Sequence, residues 1–125
     1  NEEKIFTKFD LFGNKIEESS FLQGNDSLYM KIVYKFDSNG NLIQQALYNG
    51  VGLLKVEIIN KYDINGYKVE SLGYIDRNTI GIKVIYKFDN KGNIVEEATY
   101  KPQSYSGQQK LVLTDLHTIE YVYYD

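Results

Sequence analysis

Asp37, Asn39 and Asn41 set three oxygen-bearing side chains at alternate positions within five residues, a type and spacing that suits a divalent cation. A calcium loop of the EF-hand kind needs glycine at its sixth position, and here Gly40 stands at the fourth. A tight turn asks for the same residues, because Asp and Asn side chains accept hydrogen bonds from amides just ahead of them. The turn explains them without a metal. Two acidic pairs, Glu17/Glu18 and Glu96/Glu97, raise glycoside hydrolysis, which needs two carboxyl groups flanking one bond. Adjacent strand residues point to opposite faces, so neither pair can do this. Acids from different hairpins, such as Glu70 and Glu96, would have to converge. His117 is the single histidine, with Asp115 close by and Ser104 and Ser106 upstream, types that form a hydrolytic triad only when they meet in space. No nucleophile elbow surrounds the serines, and the chain has neither a P-loop nor a Gly-x-Gly-x-x-Gly after a strand.

Twelve tyrosines are the other notable group. Tyr34, Tyr48, Tyr62, Tyr74, Tyr86 and Tyr100 recur in register with the repeat described below and read as cross-strand packing. Tyr105, Tyr121, Tyr123 and Tyr124 fall outside the best repeats, and aromatics with one wet edge suit a binding surface for protein or carbohydrate.

The elements that must position these side chains follow from composition and repetition. With 125 residues, one proline, ten glycines and many β-branched residues, the chain reads as a single domain, 1–125, of strands joined by glycine turns. It has no cysteine, and its formal charge of −3 with mixed signs offers no basic face for nucleic acid and no polybasic membrane patch. No apolar run approaches the ~20 residues a spanning helix needs, so membrane insertion is not expected.

Aligning on Asp-x-x-Gly places Asp10/Gly13, Asp37/Gly40, Asp63/Gly66 and Asp89/Gly92 in one column, with Asp spacings of 27, 26 and 26. Lys precedes each Asp by two, and an aromatic precedes it by one. Three residues after Gly comes Ile16, Ile43, Val69 or Val95, then Glu17, Gln44, Glu70 or Glu96. Asp-x-x-Gly between alternating runs is what a three-residue hairpin loop requires, a type I turn followed by a left-handed residue. These eight Asp and Gly residues are therefore structural turn residues. The expected units lie near 4–28, 29–54, 55–80 and 81–101. A loop is expected at 102–110, where the proline falls, and degenerate terminal strands over 111–125.

If Asp37 opposes Asn41, an unbroken ladder pairs Phe36 with Leu42, Tyr34 with Gln44, Ile32 with Ala46 and Met30 with Tyr48 on one apolar face. Lys35 with Ile43, Val33 with Gln45 and Lys31 with Leu47 would share the other. The first unit is more polar on its core face and reads as a cap. The fold class expected is all-β, an antiparallel array of about four to five repeated hairpins forming one curled sheet of nine or ten strands. A closed barrel or sandwich is the alternative.

The series "YKFDSNGNLIQQALY", "KYDINGYKVESLGY" and "YKFDNKGNIVEEATY" resembles the YD repeats of RHS-type and teneurin-type surface proteins. With "YNGVG" it also resembles the bacterial MORN-type hairpin repeat. The resemblance spans about Lys4 to Tyr100 and implies scaffold and contact surface, with no catalytic residue and no cofactor. The expectation is a non-enzymatic structural or protein-interaction module of an exported or surface-associated bacterial protein, outside the cytoplasm. Carbohydrate or small-ligand binding through the tyrosines is the first alternative, and a hydrolase with dispersed carboxylates the second. "IEYVYYD" is expected to be an edge strand through which the chain binds a protein partner or itself.

Overall fold

The computed structural model describes residues 3–22, 24 and 27–124. Every regular element among them is a strand: β1 (Glu3–Phe9), β2 (Lys15–Leu22), β3 (Ser27–Phe36), β4 (Leu42–Asn49), β5 (Leu54–Tyr62), β6 (Lys68–Tyr74), β7 (Ile80–Phe88), β8 (Ile94–Tyr105) and β9 (Gln108–Thr118). They form one antiparallel sheet in chain order, β1 to β9, with those two strands at its ends rather than joined into a barrel.

Each Asp-x-x-Gly turn closes as its residues dictate. The Gly40 amide donates to the Asp37 carbonyl at 3.1 Å, the Asp37 amide donates to the Asn41 carbonyl at 2.9 Å, and Gly40 has φ of 86°. Gly13, Gly66 and Gly92 share this left-handed conformation. The β4–β5 connection repeats the device with Asn in place of Asp: the Gly52 amide donates to the Asn49 carbonyl at 3.1 Å, and the Asn49 Oδ1 accepts from the Val51 and Leu53 amides.

The register departs from the unbroken ladder. Phe36 pairs with Leu42 as expected, but Lys35 then pairs with Gln44, Val33 with Ala46 and Ile32 with Leu47, leaving Ile43 as the extra residue of a β-bulge. Ile16 and Val95 are skipped in the same way. One residue of slip exchanges the faces of everything beyond it. Ala46 therefore shares a face with Val33 instead of Ile32. The slip also sets the lysine column opposite the Glu/Gln column, an oppositely charged cross-strand pairing that the unbroken ladder denies.

Two further expectations are corrected. Residues 102–110 are not a loop: β8 continues through Pro102 to Tyr105 and β9 begins at Gln108. Ser106 and Gly107, with φ of 49° and 78°, make the two-residue left-handed turn that suits a hairpin. Pro102 is tolerated because the ladder with β7 ends at Tyr100, so its missing N–H is not asked for there. The second concerns the chain end, which is not a strand from Ile119 to Tyr124. Asp125, in the expected terminal strand, and residues 23, 25 and 26 of the first unit lie outside the described residues.

The chain folds as two compact units, Asn1–Ile59 with Tyr74–Thr79, and Asn60–Gly73 with Ile80–Asp125. In the first, the buried positions are small: Ser20 lies between Ile5 and Met30, and Ala46 between Val33 and Glu57. In the second, Ala98 lies between Ile85 and Leu116, and buried Gly73 lies beneath Ile82. Larger neighbours close over small residues, a way to bury apolar surface on a sheet face. β1 is exposed along its whole length, as a terminal strand should be, yet among its exposed residues Ile5, Phe6 and Phe9 are apolar and all more than half exposed.

Candidate functional site

The bulge builds the charged column. Lys8 meets Glu17 at 3.1 Å, Lys61 meets Glu70 at 3.0 Å and Lys87 meets Glu96 at 3.2 Å. Gln44, standing in the glutamate column, instead donates its amide to Glu57 at 2.6 Å. Glu17 and Glu70 each receive a second lysine from the following hairpin, Lys31 at 3.4 Å and Lys83 at 3.5 Å. Glu70 is the best shielded, its side chain 18% exposed, and the Lys61 ammonium chiefly, with Lys83, holds its carboxyl below the usual range. Its Oε2 is closed off from solvent and meets Lys61 as an ion pair rather than as a well-angled hydrogen bond.

Glu70→Gln should therefore lower stability by about 1 kcal/mol, whereas Glu96→Gln, facing one exposed lysine, should cost less than about 0.5 kcal/mol and leave partner binding unchanged. Paired urea melts check the order of the two effects.

The triad candidates are dispersed. His117 stands opposite Glu97 in the β8–β9 ladder and Asp115 opposite Thr99, while Ser104 pairs with Gln109. Seven residues of strand, roughly 23 Å, separate Ser104 from Glu97. The triad residues are not brought together.

The turn carboxylates are engaged by their own loops. Asp37 Oδ1 accepts from the Asn39 and Asn41 amides, each at 2.9 Å, and its Oδ2 from the Asn41 side chain at 3.2 Å. Asp10 does the same with Phe12 and Asn14. Backbone amides, those of Asn41 and Asn14 first, hold both carboxyls below their ordinary value. A folded-state pKa below the unfolded one gives stability that is complete above the unfolded value, about 4, and is lost as pH falls through the folded one. The Asn39 and Asn41 amide shifts should accordingly titrate with a midpoint below about 4, and Asp37→Asn should abolish that titration while keeping the turn.

The fourth turn differs. The Asn93 side chain does not reach Asp89; it donates to the Tyr123 hydroxyl at 2.7 Å, and that hydroxyl donates to Asp89 Oδ2. The phenol is inserted where Asn closes on Asp in the first two turns. Lys91 lies 3.9 Å from the Tyr123 ring centroid and takes one of its faces. The Asp89 contact pushes the Tyr123 hydroxyl pKa up, and the same bond lowers that of Asp89. The Ile119 amide donates to the Val95 carbonyl at 2.9 Å, so the segment after β9 runs back to this turn.

Of the four candidate tyrosines, the fold brings Tyr121 and Tyr123 together, rings stacked at 6.3 Å. Tyr124 is 91% exposed. Tyr105 is at the other end of β8, its hydroxyl donating to Gln103 at 2.9 Å, and takes no part. Sequence reasoning missed Asn93, Lys91 and the Asn49 turn. The available signal was Asn after the turn glycine in three of the four units.

The class defined is an all-β array of Asp-x-x-Gly hairpins. No family model and no curated protein matches the chain. Among solved structures it is similar to a protein of unknown function from Bacteroides fragilis NCTC 9343, with TM-score 0.65 and 12% identity over 94% of this chain and 93% of that one. A DUF3836 family protein from Bacteroides vulgatus ATCC 8482 shares 18% identity over 96% of this chain and 100% of that one, with TM-score 0.36. The first likeness is one of fold.

Proposed function

We propose that the chain is a structural, protein-binding repeat module of an exported or surface-associated bacterial protein. The observation that carries this reading is the apolar first hairpin, where Ile5, Phe6, Phe9, Leu11 and Phe12 are between 53% and 101% exposed. The two central turn positions accept polar residues readily, so Leu11 and Phe12 serve no need of the turn itself. Large apolar side chains left exposed together on one hairpin and its turn mark a contact site. The resemblance to YD and MORN-type repeats supports the same reading, since those repeats serve as scaffold and contact surface.

A photo-crosslinking residue at Leu11 of the protein, activated in cells, tests it. The expected result is a discrete protein adduct in the extracytoplasmic fraction, lost when Phe6 and Phe12 are changed to serine. Adduct formation in the cytoplasm, or none from Leu11 while the protein is folded and exported, would overturn the reading.

A further inference from the structure

The fourth turn demonstrates a binding mode: an Asp and the Asn four residues on part to admit a tyrosine hydroxyl between them, from a segment 30 and more residues away. The same Asp and Asn stand in the first and second turns, where they bond each other directly at 3.2 Å with no phenol between. These two turns flank an open groove of about 860 Å³, with Asp10, Asn14 and Asp37 at its polar margin and Phe12, Phe36 and Ile43 along its apolar wall. Phe12, 90% exposed, stands ready to cover an aromatic ring.

The chain also carries a ligand that fits. Tyr121 and Tyr123 stack on one side of the C-terminal segment, Tyr123 tied to its own Asp89 turn. Val122 and Tyr124, the alternate residues, are 75% and 91% exposed. An apolar residue and a phenol are thus held out from a segment already tethered, so less ordering entropy is lost on docking than for a loose tail.

We infer that the groove between the Asp10 and Asp37 turns is a docking site for Val122–Tyr124 of a second copy of this chain, the Tyr124 hydroxyl inserting at an Asp–Asn pair as Tyr123 does at Asp89 and Asn93. Groove and segment are different surfaces, so the contact is heterologous and propagates from copy to copy unless the rotation closes a ring. This inference rests on the protein-binding reading above and names the partner.

Sedimentation velocity of the full chain, with Phe12→Ala and Tyr124→Ala variants, decides it. Both side chains are exposed, so each variant should fold, with circular dichroism as the check. Wild type should associate with rising concentration, and each variant alone should associate at least about tenfold more weakly. Mixing the two variants should restore association but stop at a one-to-one complex, because one supplies only a groove and the other only a segment. A peptide of sequence TIEYVYY should dissolve the wild-type assembly. A wild type that stays monomeric to about 1 mM, affinity of no more than roughly 4 kcal/mol, overturns the inference. Variants that associate like wild type overturn it too, and leave the protein-binding reading standing with a partner other than a second copy. That reading falls separately, by the Leu11 crosslinking result.

Discussion

Replacing Gly92 with valine should destabilise the protein by roughly 3 kcal/mol, clearly more than the same change at Gly40. Both glycines are left-handed, with φ of 83° and 86°, so both substitutions pay the strain of a β-branched residue, about 1–3 kcal/mol. The surroundings separate them. A Cβ at Gly40 would meet nothing within 4 Å, whereas one at Gly92 would stand 2.6 Å from the Tyr67 hydroxyl and 3.0 Å from its Cζ. Tyr67 is not free to swing away without loss, because its ring stacks on Phe88 at 5.0 Å and 22°. Displacing it adds an overpacking term of about 1 kcal/mol or more. Urea melts of Gly92→Val, Gly40→Val, Tyr67→Ala and the double variant Gly92→Val with Tyr67→Ala measure both parts. Removing the ring should bring the Gly92 cost down to the Gly40 cost. Equal costs in the single variants would mean that Tyr67 yields without penalty.

Gly50→Ala should cost about 2 kcal/mol for a different reason. Gly50 is not left-handed, so the backbone conformation itself tolerates alanine. Its added Cβ would overlap the Leu28 carbonyl oxygen and lie 3.2 Å from the Tyr29 Cα. These are backbone atoms, and a backbone cannot yield as a side-chain tip does. Tyr29 is itself the unpaired residue where the β2–β3 register shifts, so the strand that must give way is already bent. Gly52, two residues on, has φ of 85° and open space around it. Alanine there should cost only the left-handed strain, roughly 1 kcal/mol. If Gly50→Ala proves as mild as Gly52→Ala, the close approach of the two chain segments is relaxed in solution.

The turns were legible in the sequence because each is decided within five residues: Asp10, Asp37, Asp63 and Asp89 accept bonds only from their own loops' amides and side chains, Asp89 alone adding Tyr123. The register was not, because a bulge is settled between strands. Its trace was present all the same, since Lys two before Asp and Glu four after Gly come opposite each other only if one residue is skipped. The Ser106–Gly107 turn was hidden by Pro102, whose effect depends on where the β7 ladder stops. Tyr123 reaches Asp89 across 34 residues with no local pattern to announce it. Its candidacy came from the chemistry of an aromatic outside the repeats, and the partner needed the fold.

The twofold lysine coordination of Glu17 and Glu70 has a genetic corollary. Each of these carboxylates binds an ammonium of its own hairpin and one from the hairpin that follows. The seams alternate along the chain: Glu17 and Glu70 meet Lys31 and Lys83, while between them Gln44 meets Glu57, so two consecutive hairpins together carry a matched set of seam partners. Unequal recombination within such a gene leaves every seam matched when it inserts or deletes two consecutive hairpins, whereas one extra copy of the third hairpin would set Glu70 against Glu57. The number of hairpins is then free to drift by twos among descendants, while selection acts chiefly on the two end surfaces that each new length exposes.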